Sequence, residues 1–128
     1  MRSFFPFLLV GLGGFVGSML RYLMTILFQN FHIVPFGTVI SNVGGCFLIG
    51  IITGLSADAQ LLSPEARLFF ATGVCGGFTT LSSLIYELAQ LAKTGEYMIG
   101  SIYLIGTMIG AGMSFFLGTM LPRLIIKG

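Results

Sequence analysis

The chain alternates four long apolar stretches with short polar connections. An α-helix needs about 20 apolar residues to cross the hydrocarbon core of a bilayer, and each stretch reaches that length. The pattern therefore predicts four transmembrane helices in one domain, residues 1–128. The predicted helices are Phe4–Phe28, Phe36–Leu55, Ala66–Ala92 and Tyr97–Leu121. We expect the last to end at Pro122, because proline lacks the N–H that a continuing helix uses.

Turn and capping residues mark both ends of the predicted third helix. The longest loop, Ser56–Pro64, contains Asp58 and Gln60 and precedes the helix. Ser63 followed by Pro64 is typical of a helix start, with serine as the cap and proline in the first turn. At the other end, Gly95 is typical of a helix stop.

The middle of the third stretch is unusually rich in small and hydroxyl residues. From Gly73 to Ser83, seven of eleven residues are Gly, Thr or Ser. Paired glycines weaken a helix, and non-helical backbone at membrane depth is tolerated only where it is buried in protein or lines a cavity. The pattern predicts a break near mid-membrane, whose freed carbonyls are able to coordinate a cation. A kinked but continuous helix is the alternative.

Composition agrees with a membrane protein and excludes several other classes. Only 8% of the residues are charged and 55% are hydrophobic, whereas soluble domains carry about 25% charged residues. The six basic residues are scattered, so no run tracks a nucleic acid backbone. Cys46 and Cys75 lie in apolar stretches, as small buried residues do. His32 lies in a loop and no catalytic set can be assembled, so we expect no enzyme.

The distribution of basic residues gives only a weak orientation signal. With four spans, both termini lie on one side of the membrane. That side carries Arg2, Arg67, Arg123 and Lys127, whereas the other carries Lys93 and Arg21 near its end of the first span. A weak bias under the positive-inside rule is compatible with insertion in both orientations.

Small residues recur at every fourth position in several predicted helices. Such faces let helices approach closely in lipid. The pairs are Gly13/Gly17, Gly50/Gly54, Gly106/Gly110 and Ser114/Gly118. Because four small, tightly packed helices do not easily enclose a water-filled path alone, we expect a homo-oligomer.

Polar side chains at membrane depth are costly, which makes them functional candidates. Thr38 and Asn42 are four residues apart on the second helix, and Tyr103 and Thr107 repeat that spacing on the fourth, with Ala111 one turn further. These two stripes either bond neighbouring helices or line a permeation path.

Two charged residues add to these candidates. Arg21 either reaches the interface with its head group or places a fixed positive charge at the mouth of an anion path. Glu87, late in the third span, is a proton site, a protonated carboxyl group or a hydrogen-bonding partner of another helix.

Together these features resemble the Fluc/CrcB family of fluoride channels. The resemblance runs in order along the whole chain. The segments that carry it are Gly13–Tyr22, Gly37–Gly45, Gly73–Ser83 and Tyr103–Thr107.

The resemblance implies a fold, a function and a location. It implies an all-α antiparallel, dual-topology homodimer in the inner membrane of a bacterial cell. Two pores built from both subunits would let fluoride leave passively. A structural sodium ion at the dimer centre would be held by the backbone carbonyls of Gly76 and Thr79.

The resemblance also implies roles for the polar side chains. Asn42 would donate to fluoride, and Tyr103, Thr38 and Thr107 would lie along the path. Arg21 would sit at the vestibule, and Glu87 matches a family glutamate near the pore.

One departure from the family lies directly after the break. The family typically has a Phe-Ser-Thr-Phe motif whose positive ring edges face the anion path. This chain has Leu81, Ser82, Ser83 and Leu84 there. Leucine offers neither a ring quadrupole nor a donor, so we expect weaker fluoride conduction than from a chain with both phenylalanines.

Two other functions fit the outline of the chain less well. A proton-coupled small multidrug exporter also has four short helices, but it needs a carboxylate near mid-helix, usually early in the chain, and the first two spans have none. A non-transporting scaffold subunit would explain the glycine packing but not the two polar stripes.

Overall fold

A computed structural model describes residues 3–57 and 61–128, and all secondary structure in these ranges is helical. Four helical spans are long and apolar enough to cross a membrane. The helices are α1 (Phe5–Leu27), α2 (Phe36–Ala57), α3 (Pro64–Arg67), a π-helical segment (Leu68–Cys75), α4 (Gly76–Phe78), α5 (Leu81–Lys93) and α6 (Tyr97–Lys127). The third span therefore consists of several short pieces, as the glycine and hydroxyl tract predicts.

The predicted ends of the third span are confirmed. Ser63 has extended backbone, and its Oγ accepts a hydrogen bond of 3.1 Å from the Ala66 N–H, with Pro64 in the first turn. Gly95 follows the end of α5 and adopts a φ of +77°, a conformation that favours glycine. The predicted loop residues Asp58 and Gln60, like Arg2, lie outside the described residues.

The predicted break lies between α4 and α5. Thr79 and Thr80 have extended backbone, with ψ of 153° and 122°, so the alternative of a continuous helix is wrong. The preceding π-helical segment, in which hydrogen bonds span five residues instead of four, was not predicted. The extended residues Thr79 and Thr80 therefore divide the third span into two helical halves.

The prediction that the fourth helix ends before Pro122 is wrong. Helix α6 continues through Pro122 to Lys127. Proline is tolerated in membrane helices because neighbouring groups satisfy the freed backbone atoms. Pro122 is also buried against α2, where a Cβ at Gly54 would lie 3.1 Å from its Cγ. Packing against a glycine therefore outweighs the local tendency of proline to end a helix.

Close glycine contacts hold the bundle together in two places. Where α1 crosses the third span, a Cβ at Gly13 or Gly17 would clash with the carbonyl oxygens of Phe69 or Val74. Where α2 crosses α6, a Cβ at Gly50 or Gly118 would likewise clash with the backbone of the opposite helix. These pairs confirm the predicted small-residue faces.

Not every predicted small-residue pair is a helix contact. A Cβ at Gly106 would have no neighbour within 4 Å, and one at Gly110 would meet only the Val43 side chain at 3.3 Å. Large apolar side chains are exposed on the outer faces of the spans, among them Phe15, Ile105 and Phe116. Such faces suit lipid or another subunit.

Candidate functional site

The carboxylate of Glu87 joins three helices. The Thr38 hydroxyl on α2 donates to its Oε1 at 2.7 Å, and the Tyr103 hydroxyl on α6 donates to its Oε2 at 2.5 Å. Thr38 and Tyr103 are 6% and 3% exposed. Glu87 is half-buried, and both of its carboxylate oxygens have a hydroxyl partner on a neighbouring helix.

The chain brings these three side chains to the same end of the bundle. Thr38 lies near the start of α2, Glu87 near the end of α5 and Tyr103 near the start of α6. A cavity of about 310 Å³ opens at this end, with Thr38 and Glu87 in its wall and Gln29 and His32 contributed by the α1–α2 loop. The carboxylate therefore lies between a cavity and the buried α2–α6 contact.

Asn42 binds the backbone of the helix break. Its Oδ1 accepts from the Thr80 N–H at 2.7 Å, and its Nδ2 donates to the Thr80 carbonyl at 3.0 Å. One amide side chain thereby satisfies both polar atoms of an extended residue. The second Nδ2 hydrogen is not used in this pair, because a carboxamide has two N–H donors.

These bonds show how the break frees particular carbonyls. In a continuous α-helix, the Thr80 N–H would bond the Gly76 carbonyl, and the Ser83 N–H would bond that of Thr79. Instead, the Thr80 N–H donates to Asn42, and the Ser83 N–H donates to the Thr80 hydroxyl at 3.1 Å. The Gly76 and Thr79 carbonyls lose their helical partners, and Gly76 is exposed on the bundle.

A hydroxyl cluster caps the second half of the third span. The Thr80 hydroxyl lies 3.2 Å from the hydroxyls of both Ser82 and Ser83, besides accepting from the Ser83 N–H. Ser82 is exposed and Ser83 half-buried. Together with Asn42, this cluster places several neutral donors around the start of α5.

Arg21 lies beside this cluster. It is half-buried on α1 and lines a cavity of about 240 Å³ together with Ser18, Thr25 and Ser83. A guanidinium group beside hydroxyl donors makes this cavity attractive to an anion.

The two leucines after the break have very different surroundings. Leu81 is 69% exposed, whereas Leu84 is 2% exposed and belongs to the core. They lie three residues apart on α5. Of the two, only Leu81 is on the surface of the single chain.

The predicted polar stripes are only partly reproduced. Thr38 and Tyr103 meet at Glu87, but Asn42 turns to the break instead of α6. Thr107 is buried and Ala111 half-buried on α6. Sequence reasoning missed Thr80 as the cap of α5, although threonine directly before a helix is a typical N-cap. It also missed Ser41, which lies on the same α2 face as the buried Gly37 and Gly45.

Fold and site define a four-span membrane protein with a broken third span and polar side chains that form hydrogen bonds between its helices. Residues 8–119 match the family described as CrcB-like protein, Camphor Resistance (CrcB). This match covers most of the chain, so the protein belongs to the CrcB family.

Bacterial relatives cover almost the full chain. A protein of Prosthecochloris aestuarii (strain DSM 271 / SK 413) is 48% identical over 123 residues, which are 95% of this chain and 96% of the relative. One of Chlorobium phaeobacteroides (strain BS1) is 46% identical over 118 residues, 91% of this chain and 92% of the relative. Both carry the name fluoride-specific ion channel FluC. This chain is accordingly a multi-pass membrane protein of bacterial type.

Proposed function

We propose that the protein is a fluoride channel that lets fluoride leave the cell passively. One observation carries the proposal beyond the names of the relatives. Neutral donors and a single carboxylate meet inside the apolar spans: Thr38 and Tyr103 at Glu87, and Asn42 at the break. Polar groups in a membrane interior are costly and mark transport paths.

The chemistry of these side chains suits fluoride. Fluoride is small and strongly hydrated, so a pore must replace its water with hydrogen-bond donors yet release the ion. Asn42 has an N–H beyond the bond to Thr80, and the hydroxyls of Ser82 and Ser83 are close by. Neutral donors bind fluoride less tightly than a fixed positive charge would, so the ion can be released. Arg21 at the cavity mouth would raise the local anion concentration.

We further propose that two copies assemble in antiparallel fashion and share two pores. The single chain leaves part of the proposed site on its surface: Gly76, Ser82 and Leu81 are exposed. A second copy would cover these residues and complete the wall of each path. The weak charge bias between the two sides is compatible with both orientations.

A sodium ion at the dimer centre is part of the same proposal. The residues present fit such an ion, because the break removes the helical partners of the Gly76 and Thr79 carbonyls and neutral carbonyl oxygens are suitable ligands for a hard cation. Two copies would supply four such oxygens. The ion would contribute positive charge and stability to the dimer.

Glu87 would contribute to the fluoride path indirectly, through the side chains of Thr38 and Tyr103. Because its carboxylate accepts hydrogen bonds from both Thr38 and Tyr103, it orients their hydroxyls. Thr107 would extend the path along α6. This position of Glu87, late in the third span, does not match the early mid-helix carboxylate of a small multidrug exporter.

A flux assay tests the proposal. Purified protein in liposomes would be loaded with fluoride, and efflux would be recorded with a fluoride electrode after valinomycin allows potassium to leave. We expect fluoride efflux without a proton gradient and no comparable chloride efflux. Efflux that requires a proton gradient would favour an exporter. No flux from the protein or from the Leu81→Phe, Leu84→Phe variant would contradict a channel.

A further inference from the structure

The two cysteines of the chain lie on neighbouring spans and have no role in the proposed fluoride path. Both thiols are free, Cys75 is 3% exposed and Cys46 is half-buried. Cys46 belongs to α2, and Cys75 is the last residue of the π-helical segment before the break. A buried thiol usually acts as a small apolar side chain, so a further role requires that the two thiols lie together.

Contacts on either side of the cysteines show how α2 faces the third span. At one end, the Asn42 side chain binds both backbone polar atoms of Thr80. Further along α2, Ile49 lines a cavity of about 320 Å³ together with Ala71, which precedes the break. Residue numbers rise on α2 while they fall on the third span, so the two run in opposite directions. Both cysteines lie between these two points of contact.

Between these points, the cysteines lie at matching levels. Cys46 lies one helical turn beyond Asn42, on the same side of α2, since residues four apart share a helix face. Cys75 lies one turn before Thr79, whose N–H donates to the Cys75 carbonyl at 3.0 Å. One turn rises about 5.4 Å, so both lie a similar distance from the contact of Asn42 with the break. The two thiols are close enough for the charge of one to act on the other.

We propose that Cys46 and Cys75 form a binding site for a soft divalent metal ion, of which Hg²⁺ is the clearest example. Thiolate sulfur prefers soft metal ions to hard ones. Within residues 3–57 and 61–128, no three His, Cys, Asp or Glu side chains come together to hold a metal. The site therefore suits an ion that needs only two ligands. Mercuric ion is such an ion, because it binds two thiolates in a linear arrangement.

Charge balance favours a divalent ion inside the apolar spans. Each thiol loses its proton when its sulfur binds the metal, so one Hg²⁺ and two thiols give a neutral S–Hg–S bridge and two released protons. A monovalent ion between two thiolates would leave a negative charge in an apolar environment, which is costly. Mercuric chloride is itself neutral and enters lipid, where the half-buried Cys46 is the more accessible thiol.

The bridge would join two elements that position the break. Asn42 and Thr80, whose hydrogen bonds connect α2 to the break, lie next to the site. Because an S–Hg–S bridge has a fixed length, it would hold α2 against the segment before the break. We expect fluoride flux to fall several-fold when the site is filled. This effect on flux rests on the proposed channel function, whereas metal binding does not.

The test of binding needs no flux measurement. Purified protein would be treated with mercuric chloride and then with an excess of a monothiol such as glutathione. A single Hg–S bond exchanges with the monothiol, whereas an ion held by two sulfurs of the same chain is retained. By intact mass, we expect one mercury per chain in the unaltered protein and none in Cys46→Ala or Cys75→Ala. Loss of mercury from the unaltered protein, or its retention by either variant, would overturn the site.

A second measurement avoids substitution and covers a variant that folds poorly. Alkylation of Cys46 with N-ethylmaleimide in the unaltered protein should also abolish mercury retention. If Cys46 instead formed a bridge between two copies of the chain, Cys75→Ala would keep one mercury per two chains, and the proposed pair would be wrong.

Flux in liposomes tests the effect on the channel. Mercuric chloride should lower fluoride flux several-fold in the unaltered protein, a dithiol should restore it, and Cys75→Ala should be unaffected. Retained mercury with unchanged flux would refute the effect of the bridge on the break. Absence of fluoride flux before the metal is added would contradict the proposed channel function, while the mass measurement would still decide the metal site.

Discussion

The two halves of the third span are held in the bundle by different forces. Before the break, Gly73 and Gly77 lie so close to α1 that an added Cβ would meet its backbone within 2.8 and 2.5 Å. After the break, hydrogen bonds of Thr80 and Glu87 tie α5 to α2 and α6, alongside the buried side chain of Leu84. Close backbone packing tolerates almost no change, whereas hydrogen bonds can be exchanged for bonds to an ion. The half of the third span before the break therefore acts as a scaffold, whereas the half after it carries the residues that we propose contact the ion.

The largest effect is expected where the scaffold has no spare room. Gly17→Ala would place a Cβ against the Val74 carbonyl and 2.8 Å from the Phe78 nitrogen. Such overpacking should destabilise the bundle by about 3 kcal/mol. Thermal unfolding in detergent would measure it. Gly106→Ala, with nothing within 4 Å of the new Cβ, is the control and should be neutral. Equal melting temperatures for the two variants would refute the assigned scaffold role.

A smaller loss of stability, with a complete loss of flux, is expected at Asn42. Asn42→Ala leaves the Thr80 N–H and carbonyl unpaired, and because both bonds are only partly buried we expect a total cost of about 2 kcal/mol. Asn42→Asp keeps an acceptor for the Thr80 N–H but has no N–H donor when ionised. We therefore expect less destabilisation from Asp than from Ala and no fluoride efflux from either. Efflux at the normal rate from Asn42→Asp would show that the amide does not donate to the ion.

Much of the scaffold could be predicted from the sequence because its signals are local. Apolar length identified the four spans, Ser63 and Gly95 identified helix ends, and the Gly-rich tract identified the break. The end at Pro122 was wrongly predicted, since the burial of that ring against Gly54 is a contact between distant segments. The helix propensity of a residue carries no information about contacts between distant segments.

The site could be predicted only as a set of residues, not as an arrangement. Spacing on one helix singled out Thr38, Asn42 and Tyr103, and each of these side chains forms a hydrogen bond to another segment of the chain. It did not reveal that Glu87 joins the first and last of these while Asn42 binds Thr80. Those pairings depend on how three helices cross. The π-helical segment before the break has no comparable signal in the sequence.

A moderate effect is expected from the bonds to Glu87. Tyr103→Phe and Thr38→Val each remove one hydroxyl donor, and hydrogen bonds in membrane proteins contribute about 0.6–1.7 kcal/mol. We expect a similar loss of stability and a several-fold loss of fluoride flux from each variant. The double variant should lose less than the sum, because both hydroxyls serve one carboxylate. Strict additivity in a double-mutant cycle would argue against a shared role.

The smallest effect on stability is expected at exposed Leu81. Leu81→Phe adds a ring on the surface of the single chain, so we expect unchanged stability and a several-fold gain in fluoride flux. Leu84→Phe must enlarge a side chain that is 2% exposed, at a cost of about 1–3 kcal/mol. Flux and thermal unfolding measured on both variants test this contrast. If Leu81→Phe and Leu84→Phe together leave flux unchanged, the leucines do not limit conduction.

Selective conduction of fluoride is the central claim, and the reversal potential in planar bilayers tests it most directly. Purified protein would be recorded with unequal fluoride concentrations across the membrane, balanced by chloride, at several pH gradients. The account predicts a current that reverses near the equilibrium potential of fluoride and does not move with the pH gradient. A current that reverses at the chloride potential or follows the proton gradient would contradict it.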